Sequence, residues 1–230
     1  MKVVTIIQAR TSSSRLRNKV LLNFNGKTLL GQVIDSVKSI KTTDEIWVAT
    51  SNNDEDDLIE LISKENDVKC FRGSLDDVRS RFAAISKEIN ADIIVRVTAD
   101  NPFTESSYVD QMIACMKCHK EIDYVSMNKS MILDGTGSEV FTARSLNKAI
   151  MISNHVMDLE HVTQVIIHNA VFKKEILTPA DPDFLSKKAY FLGVDTFNDY
   201  VRNINILHKY SSVNTLKKII SQINKNEKVL

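Results

Sequence analysis

The feature that most constrains the fold is an alternation of short apolar runs and helical patterns, repeated four times in the first half of the chain. Runs rich in β-branched residues predict strands, and each is followed by a stretch whose apolar residues recur at helical spacing. The predicted strands are Lys2–Ala9, Asp44–Thr50, Val68–Phe71 and Ala91–Thr98, and the predicted helices are Thr28–Ile40, Asp54–Lys64, Ser74 to about Glu88 (opened by a capping box) and Ser106–Cys118. Such a succession is typical of an α/β fold with a mainly parallel sheet and helices on both faces.

The second half of the chain alternates less regularly. Strands are predicted at Asp123–Met127, within Gly135–Phe141 and at Ala189–Val194, and helices at Ala143–Ser153, Leu159–Asn169, Asn198–Lys209 and Thr215–Asn224. No internal repeat, low-complexity segment or linker separates the two halves. A single domain covering residues 1–230 is therefore the prediction.

Charge and composition exclude several classes of protein. With 30 basic and 29 acidic residues the formal net charge is +1, which does not indicate a nucleic-acid or membrane-surface binder. No apolar run approaches the roughly 18 residues that span a bilayer, and the first apolar run reads as a strand rather than a signal peptide. Three cysteines fit a reducing compartment better than a disulfide framework. We predict a cytoplasmic protein with no nucleic-acid or membrane partner.

Three short motifs are rejected as functional signals. Gly26-Lys27-Thr28 ends like a phosphate-binding P-loop, but Leu21 stands where that pattern requires its first glycine. The string CMKCH at 115–119 matches a haem-attachment motif, yet it lies inside an amphipathic helix pattern and lacks the further ligands of a zinc site. The G-x-S-x-G elbow of serine hydrolases does not occur.

A cation-rich loop directly follows the first predicted strand. Residues 10–19 contain four cations, Arg10, Arg15, Arg17 and Lys19, together with hydroxyl side chains at 11–14, and neither an acid nor a glycine. In parallel sheets, ligands bind beyond the carboxyl ends of the strands, and arginine forks match phosphate oxygens. The loop therefore predicts a triphosphate or pyrophosphate site, with a solvated basic loop as the alternative.

Two acids stand at the ends of apolar strands. Asp100 follows the strand Ala91–Thr98, and Asp195 follows Ala189–Val194. Carboxylates suit Mg²⁺, which takes one or two of them and completes its shell with phosphate and water. The structural alternatives are an Asx turn at Asp100 and a helix N-cap at Asp195. With the cationic loop, these acids predict nucleotidyl transfer, in which an acceptor attacks the α-phosphate in line.

Seven strings along the chain carry a family resemblance. They read IIQARTSSSRLRNKVLLNFNGKTLL, EIWVATSNNDEDD, VKCFRGSLDDVRSRF, VRVTADNPF, DGTGSEVFT, LEHVT and GVDTFNDY. From about residue 2 to residue 200 their order and spacing resemble the cytidylyltransferases that make CMP-activated acidic sugars, in particular the branch of the spore-coat polysaccharide biosynthesis protein F.

The resemblance implies a Rossmann-like nucleotide-diphosphosugar transferase fold, CTP as donor, Mg²⁺ as cofactor and a small acidic or phosphorylated acceptor, and members of the family commonly form homodimers. By position it assigns nucleotide binding to Ala9, Arg10, Ser13, Arg15, Lys19, Arg72, Gly73 and Asp100, catalysis to Arg10, Arg15 and Lys19, the metal to Asp100 and Asp195, and the acceptor to Glu139, Glu160 and His161. Residues 1–120 would form the nucleotide-binding half, and residues 121–230 the half that binds the acceptor and supplies the second metal ligand.

The chain departs from the family pattern at several positions. Arg17 and Asn18 stand where relatives usually have proline and glycine. Asn18 can still adopt the left-handed conformation, and Arg17 is expected to face solvent. Asn101 stands where cysteine or an acid is commoner, and Phe197 and Asn198 where a proline and an acid are. These substitutions leave Asp100 and Asp195 in place.

Two other functions are open from the residues. A glycosyltransferase on the same sheet would usually show an Asp-x-Asp metal pair, and residues 99–102 read ADNP instead. A non-catalytic nucleotide sensor is disfavoured because both candidate metal ligands and the three matching cations are retained. Release of pyrophosphate separates nucleotidyl transfer from glycosyl transfer, and CTP binding that is indifferent to Mg²⁺ would favour a sensor.

Overall fold

The computed structural model describes residues 1–179 and 191–209. The strands are β1 (Val3–Gln8), β2 (Asn23–Phe24), β3 (Lys27–Thr28), β4 (Glu45–Ser51), β5 (Lys69–Gly73), β6 (Ile93–Thr98), β7 (Tyr124–Met127), β8 (Glu139–Thr142) and β9 (Lys174–Leu177). The helices are α1 (Leu29–Lys38), α2 (Asp57–Glu65), α3 (Val78–Glu88), α4 (Ser106–Cys118), α5 (Ala143–Ile152), α6 (Val156–Glu160), α7 (Gln164–His168) and α8 (Phe197–Lys209). Across these ranges, every helix is too short or too polar to cross a bilayer.

One seven-stranded sheet in the order β5-β4-β1-β6-β8-β7-β9 organises the chain. Strands β5, β4, β1 and β6 are parallel, β8 runs antiparallel to β6 and β7, and β9 is parallel to β7. The predicted α/β fold with a mainly parallel sheet is confirmed. Since β1, β4 and β6 run the same way, the loops that follow them leave from one edge of the sheet.

Helices cover both faces of this sheet because its central strands are apolar on both sides. On one face, Leu30 and Val33 of α1 and Met112 of α4 pack in one buried cluster with β1 and β6. On the other face, Phe82 of α3 and Leu146 of α5 belong to a second buried cluster. Burial on both faces explains why β1 and β6 are continuous hydrophobic runs rather than alternating ones.

The GKT string forms a hairpin and a helix start rather than a phosphate cradle. Asn25 and Gly26 have φ of 58° and 85° between β2 and β3, the left-handed conformations that a tight hairpin turn favours. Thr28 then caps α1, since its Oγ1 accepts a hydrogen bond from the Gly31 N–H at 3.0 Å. Lys27 pairs with Asp35 on the surface.

Two predictions for the second half need correction, and one strand there was not predicted. The helix expected over Leu159–Asn169 is two short helices, α6 and α7, interrupted where Val162 has φ of 46°. The strand expected at Ala189–Val194 has a single bridge, from Phe191 to Asp134, while residues 189–190 lie outside the described ranges. Strand β9 was not predicted, because its largely exposed sequence KEIL carries little apolar pattern.

Two helix predictions near the end of the chain have different outcomes. The helix predicted at Asn198–Lys209 is confirmed as α8. The helix predicted at Thr215–Asn224 lies outside the described residues.

In the first half of the chain, the helix expected from Ser74 begins at Val78 instead. Asp77 is its N-cap, and the Asp77 side chain accepts a hydrogen bond from the Ser80 N–H at 2.8 Å.

Candidate active site

A buried carboxylate anchors the start of the cation-rich loop. Asp56 Oδ1 accepts hydrogen bonds from the N–H and the hydroxyl of Thr11 at 2.9 and 2.7 Å, and Oδ2 accepts from the Thr50 hydroxyl and from the N–H and hydroxyl of Ser51. Burial alone would raise the pKa of Asp56, but these hydrogen bonds outweigh it and leave that pKa below its ordinary value. The loop is thereby tied to the end of β4. Sequence reasoning missed Asp56, one of four acids in the string DEDD.

The rest of the loop turns back under the sheet edge. Asn18 has φ of 57°, the left-handed conformation predicted for it, and its N–H donates to the Thr11 carbonyl at 2.9 Å. Arg17 lies on the surface and pairs with Glu55 at 2.6 Å, so its predicted solvent-facing position is confirmed. The turn at Asn18 directs Lys19 inward, and only 10% of that side chain is exposed.

Lys19 joins the two predicted metal ligands. Its Nζ lies 2.8 Å from Asp100 Oδ2, 3.0 Å from Asp195 Oδ1 and 3.0 Å from the carbonyl oxygen of Val194. Burial would raise the pKa of Asp100, but the Lys19 ammonium and the Thr98 hydroxyl hold it below its ordinary value. The structure thus brings together residues 19, 100 and 195, as the sequence predicted.

The segment after residue 190 reaches this edge through backbone contacts. The N–H of Val194 donates to the Asp100 carbonyl at 2.8 Å. Asn203 of α8 is fully buried, and its side-chain N–H group donates to the carbonyls of Leu192 and Gly193 at 3.1 and 3.2 Å. These bonds align Asp195 beside Asp100.

The two other loop cations also face acids. Arg15 Nη2 lies 2.9 Å from Asp195 Oδ1, and Arg10 Nη2 lies 2.7 Å from Glu160 Oε1. Arg10 and Glu160 are each a little over one third exposed, and Arg15 is 65% exposed, so these contacts can be exchanged for contacts to a ligand. Arg10, Arg15 and Lys19 thus face three carboxylates, those of Glu160, Asp195 and Asp100, and these six charges balance one another.

These side chains line a cavity of about 230 Å³ at the carboxyl ends of β1 and β6. Its wall contains Gln8, Ala9, Arg10, Ser13, Ser14, Arg15, Lys19, Val20, Arg96, Thr98, Ala99, Asp100, Glu160, His161 and Asp195. Six of the eight residues predicted to bind the nucleotide are in this list. A strand-end cavity rich in cations and hydroxyls suits a polyphosphate.

A second cavity of about 400 Å³ adjoins the first and is bounded by β7, β8 and α7. Its wall includes Ser126, Ser138, Glu139, His161 and Thr163. The turn beneath it needs a glycine: Gly135 has φ of 87°, and a Cβ there would lie 2.2 Å from the Gly193 N atom. Two of the three predicted acceptor residues, Glu139 and His161, lie on this wall, whereas Glu160 lies on the wall of the first cavity.

A wider depression of about 610 Å³ lies along α5, α6 and α7. Ile152, Met157 and Val165 are among its lining residues, and His161 stands at its border with the other cavities. It contains none of the predicted cations and neither predicted metal ligand, so its larger volume does not make it the phosphate site.

Arg96 is a cation of the site that is 15% exposed and that sequence reasoning did not single out. It projects from β6, and its Nη1 pairs with Glu139 Oε2 on β8, the residue opposite it in the strand register. Glu139 also accepts from the Tyr124 hydroxyl at 2.7 Å and from the Thr163 hydroxyl at 3.1 Å. Burial and the Glu139 charge raise the pKa of Tyr124 far above its ordinary value, so this tyrosine stays a neutral donor. Arginine inside an apolar strand was the available signal.

Two predicted nucleotide residues lie elsewhere. The Arg72 guanidinium pairs with Asp57 and Glu60 of α2 and donates to two backbone carbonyls. Neither Arg72 nor Gly73 is on the wall of the 230 Å³ cavity. Strand β5 is the outermost strand of the sheet, separated from β1 by β4, which is why the turn after it does not reach the phosphate site.

The two acids have the donor chemistry for the Mg²⁺ that the resemblance implies. Asp100 and Asp195 present oxygens within 3.0 Å of one cation, Lys19 Nζ, so the pair is already arranged around a positive charge. Among residues 1–179 and 191–209, no three His, Cys, Asp or Glu side chains converge on one point. The fit is therefore to a cation that takes two carboxylates and leaves its other positions to phosphate and water.

The chain is similar to proteins of known sequence over nearly its whole length. It is 37% identical over 231 residues to an uncharacterized protein of Methanocaldococcus jannaschii, with 100% of this chain and 93% of the relative covered. It is 29% identical over 233 residues to the spore coat polysaccharide biosynthesis protein SpsF of Bacillus subtilis, with 97% and 95% covered.

Solved structures agree with this similarity. A cytidylyltransferase from Leptospira borgpetersenii superposes with a TM-score of 0.90 at 30% identity, covering 100% of this chain and 96% of that one. The synthetase of CMP-2-keto-3-deoxy-manno-octonic acid, solved with CTP, superposes with a TM-score of 0.70 at 16% identity, covering 91% and 99%, and so shares the fold. Residues 4–225 match the family model described as Cytidylyltransferase. The chain is a member of the cytidylyltransferase family, and its members are nucleotidyltransferase enzymes.

Proposed function

We propose that this protein transfers CMP from CTP to a small acidic or phosphorylated sugar-type acceptor and releases pyrophosphate. The observation that carries the proposal is the convergence of Arg10, Arg15 and Lys19 with Asp100 and Asp195 in one strand-end cavity. The adjoining cavity, whose wall carries several hydroxyl and charged side chains, gives room for an acceptor beside the phosphates.

The loop cations bind the triphosphate and neutralise the charge that grows on the leaving pyrophosphate. Arg15 and Arg10 exchange their carboxylate partners for phosphate oxygens, a change that their exposure permits. Lys19 donates hydrogen bonds to Asp100, to Asp195 and to the Val194 carbonyl. These bonds hold its charge at the sheet edge before the nucleotide binds. A charge positioned in advance needs little rearrangement during the reaction.

Asp100 and Asp195 would hold Mg²⁺, which would supply positive charge to offset the negative charge of the phosphates during transfer. Thr98 keeps Asp100 oriented by donating its hydroxyl hydrogen to Oδ1 at 2.5 Å. Lys19 contacts the same two carboxylates and places a further positive charge beside them.

The second cavity supports a hydroxyl-rich acceptor. Ser126, Asn101 and His161 line it with groups that donate or accept hydrogen bonds. The Ser138 Oγ is buried and has no hydrogen-bond partner within residues 1–179 and 191–209, which leaves its donor and acceptor capacity for a ligand. Arg96, Thr98 and His161 line both cavities. An acceptor hydroxyl bound in the second cavity therefore faces the phosphates past these three residues.

The test is a pyrophosphate-release screen of the four nucleoside triphosphates, with Mg²⁺, against a panel of acidic sugars and phosphorylated small molecules. We expect release with CTP and at least one acceptor, and a loss of at least about a hundredfold in Asp100→Asn and Lys19→Met. Arg17→Met is the matched control, because this cation of the same loop pairs with Glu55 outside the cavity. No release from any combination would refute the proposal, and full activity in both variants would refute the site.

A further inference from the structure

The two cavities share three lining residues. Arg96, Thr98 and His161 line both the 230 Å³ cavity of the loop cations and the 400 Å³ cavity beside it. We call the place where the two cavities meet the junction. If the nucleotide occupies the first cavity and the acceptor the second, the α-phosphorus that is transferred lies at this junction. Among the three residues, only Arg96 carries a charge at every working pH.

Arg96 is held rigidly at the junction. Its side chain is 15% exposed, its Nε donates to Gln8 Oε1 at 3.2 Å, and its Nη1 is paired with Glu139. Its Nη2 makes no hydrogen bond to any residue in the part of the chain that the structure describes. Two of the guanidinium nitrogens are thus used for positioning, while the third keeps its donors for a ligand.

Glu139 is occupied by protein donors rather than open to an acceptor. It is 15% exposed and receives hydrogen bonds from Arg96, from the Tyr124 hydroxyl and from the Thr163 hydroxyl. A carboxylate with these partners has little capacity left for a sugar hydroxyl. Its arrangement suits a residue that orients Arg96, which changes the role expected for it from the family resemblance.

We propose that Arg96 is a catalytic residue that contacts the α-phosphate during transfer, and that Glu139 is the residue that positions it. The proposal rests on the proposed cytidylyl transfer. In that step the acceptor hydroxyl oxygen bonds to the α-phosphorus and its proton passes to solvent. The bond from that phosphorus to the bridging oxygen breaks, and the electron pair leaves with pyrophosphate. Arg96 stabilises the charge on the α-phosphate oxygens, while the loop cations stabilise the leaving group.

Arg96 lies on a central strand and is therefore positioned more accurately than the loop cations. Backbone pairing of Arg96 with Ile6 on β1 and with Glu139 on β8 fixes its Cα on both sides. A group placed by a central strand is held more accurately than one on a loop, and it requires less reorganisation as charge develops. Removing such a donor is expected to reduce kcat rather than nucleotide affinity.

The experiment compares kcat, KM and calorimetric CTP affinity, all with Mg²⁺, in wild type, Arg96→Met, Arg96→Lys, Glu139→Gln and the double variant Arg96→Met/Glu139→Gln. We expect kcat to fall about 10² to 10³-fold in Arg96→Met while CTP affinity changes less than about threefold. Arg96→Lys should lose at least about tenfold, because an ammonium cannot contact Glu139 and phosphate as a planar fork does. Arg144→Met is the matched control, since it breaks an arginine–carboxylate pair with Asp123 away from both cavities.

The double variant tests the positioning role. If Glu139 acts only through Arg96, Arg96→Met/Glu139→Gln will be no slower than Arg96→Met, whereas an independent role makes the two losses multiply. Folded Arg96→Met or Arg96→Lys with kcat within about threefold of wild type would overturn the proposal. If Arg96→Met does not fold, Arg96→Lys decides. A wild type that releases no pyrophosphate with any nucleotide refutes the proposed function and this inference with it; normal wild-type turnover with unaffected Arg96 variants refutes the inference alone.

Discussion

Replacing Asp56 by asparagine isolates the contribution of one buried carboxylate to the loop that carries the phosphate-binding cations. The carboxylate is 2% exposed, and its two oxygens each face a backbone N–H, that of Thr11 at 2.9 Å and that of Ser51 at 3.1 Å. Asparagine has one oxygen, so whichever way its amide is turned, its NH₂ group meets one of these two N–H groups. The hydroxyls around it can rotate to accept, but a backbone N–H cannot.

The magnitude follows from this geometry. A buried donor left without a partner costs about 1–3 kcal/mol, and hydrogen bonds to a charged acceptor lose roughly 1 kcal/mol or more when the charge is removed. We therefore expect Asp56→Asn to lower the free energy of unfolding by about 2–4 kcal/mol at neutral pH. Asp57→Asn is the matched control: the neighbouring carboxylate is 60% exposed, and its pair with Arg72 is expected to contribute less than about 1 kcal/mol.

The assay is urea unfolding followed by circular dichroism, repeated across pH. The pKa of Asp56 is held below its ordinary value, so its stabilisation is present above about pH 4 and is lost as pH falls through the folded-state pKa. The difference in the free energy of unfolding between wild type and Asp56→Asn should therefore become smaller as the pH is lowered. A difference in the free energy of unfolding below about 1 kcal/mol at neutral pH would refute the proposed contribution of the Asp56 carboxylate to stability. A difference that stays constant down to about pH 3 would refute it as well.

Three further predictions follow from single contacts. Gly135→Ala should lower the thermal unfolding midpoint by several degrees, because its φ is 87° and the new Cβ would lie 2.2 Å from the Gly193 N atom; an unchanged midpoint would contradict the close approach. Arg72→Met should leave the calorimetric affinity for CTP within about threefold of wild type, since Arg72 pairs with α2 outside the cavity; a larger loss would restore its predicted nucleotide role. Burial raises the pKa of Cys70 to about 11, so iodoacetamide at neutral pH should modify exposed Cys118 well before Cys70, as mass spectrometry of the peptides would show.

The order of elements in the first half could be predicted because the local signals there agree. Apolar runs such as that of β1 are buried on both faces, so their composition reports their environment directly. The helices after them have one apolar face each and the expected caps, such as Thr28 at the start of α1. Where signals conflict, prediction failed: the helical pattern of Leu159–Asn169 is interrupted at Val162, whose left-handed backbone no local rule indicates for a β-branched residue.

Only some residues of the candidate site could be predicted from the sequence, because the others are marked by contacts that form in the folded chain. Asp100 and the loop cations were found because each follows a strand directly, and parallel strands bring such positions to one edge. Arg72 lies near the end of β5, but the order of strands places β5 at the outer edge of the sheet, which the sequence does not state. Asp56 was missed because what marks it is burial together with its hydrogen-bond partners, and Arg96 because what marks it is its pairing with Glu139. These are properties of the assembled fold.

By itself the sequence determined the chemical character of this protein: a mainly parallel sheet, a cation-rich loop behind the first strand and carboxylates at later strand ends. These follow from side-chain polarity and backbone preference, which act over a few residues. Only the tertiary structure decided the pairings, such as Lys19 between Asp100 and Asp195, which are 81 and 176 residues away along the chain. The physical reason is that electrostatic contacts depend on distance in space, and strand order and chain reversal set that distance.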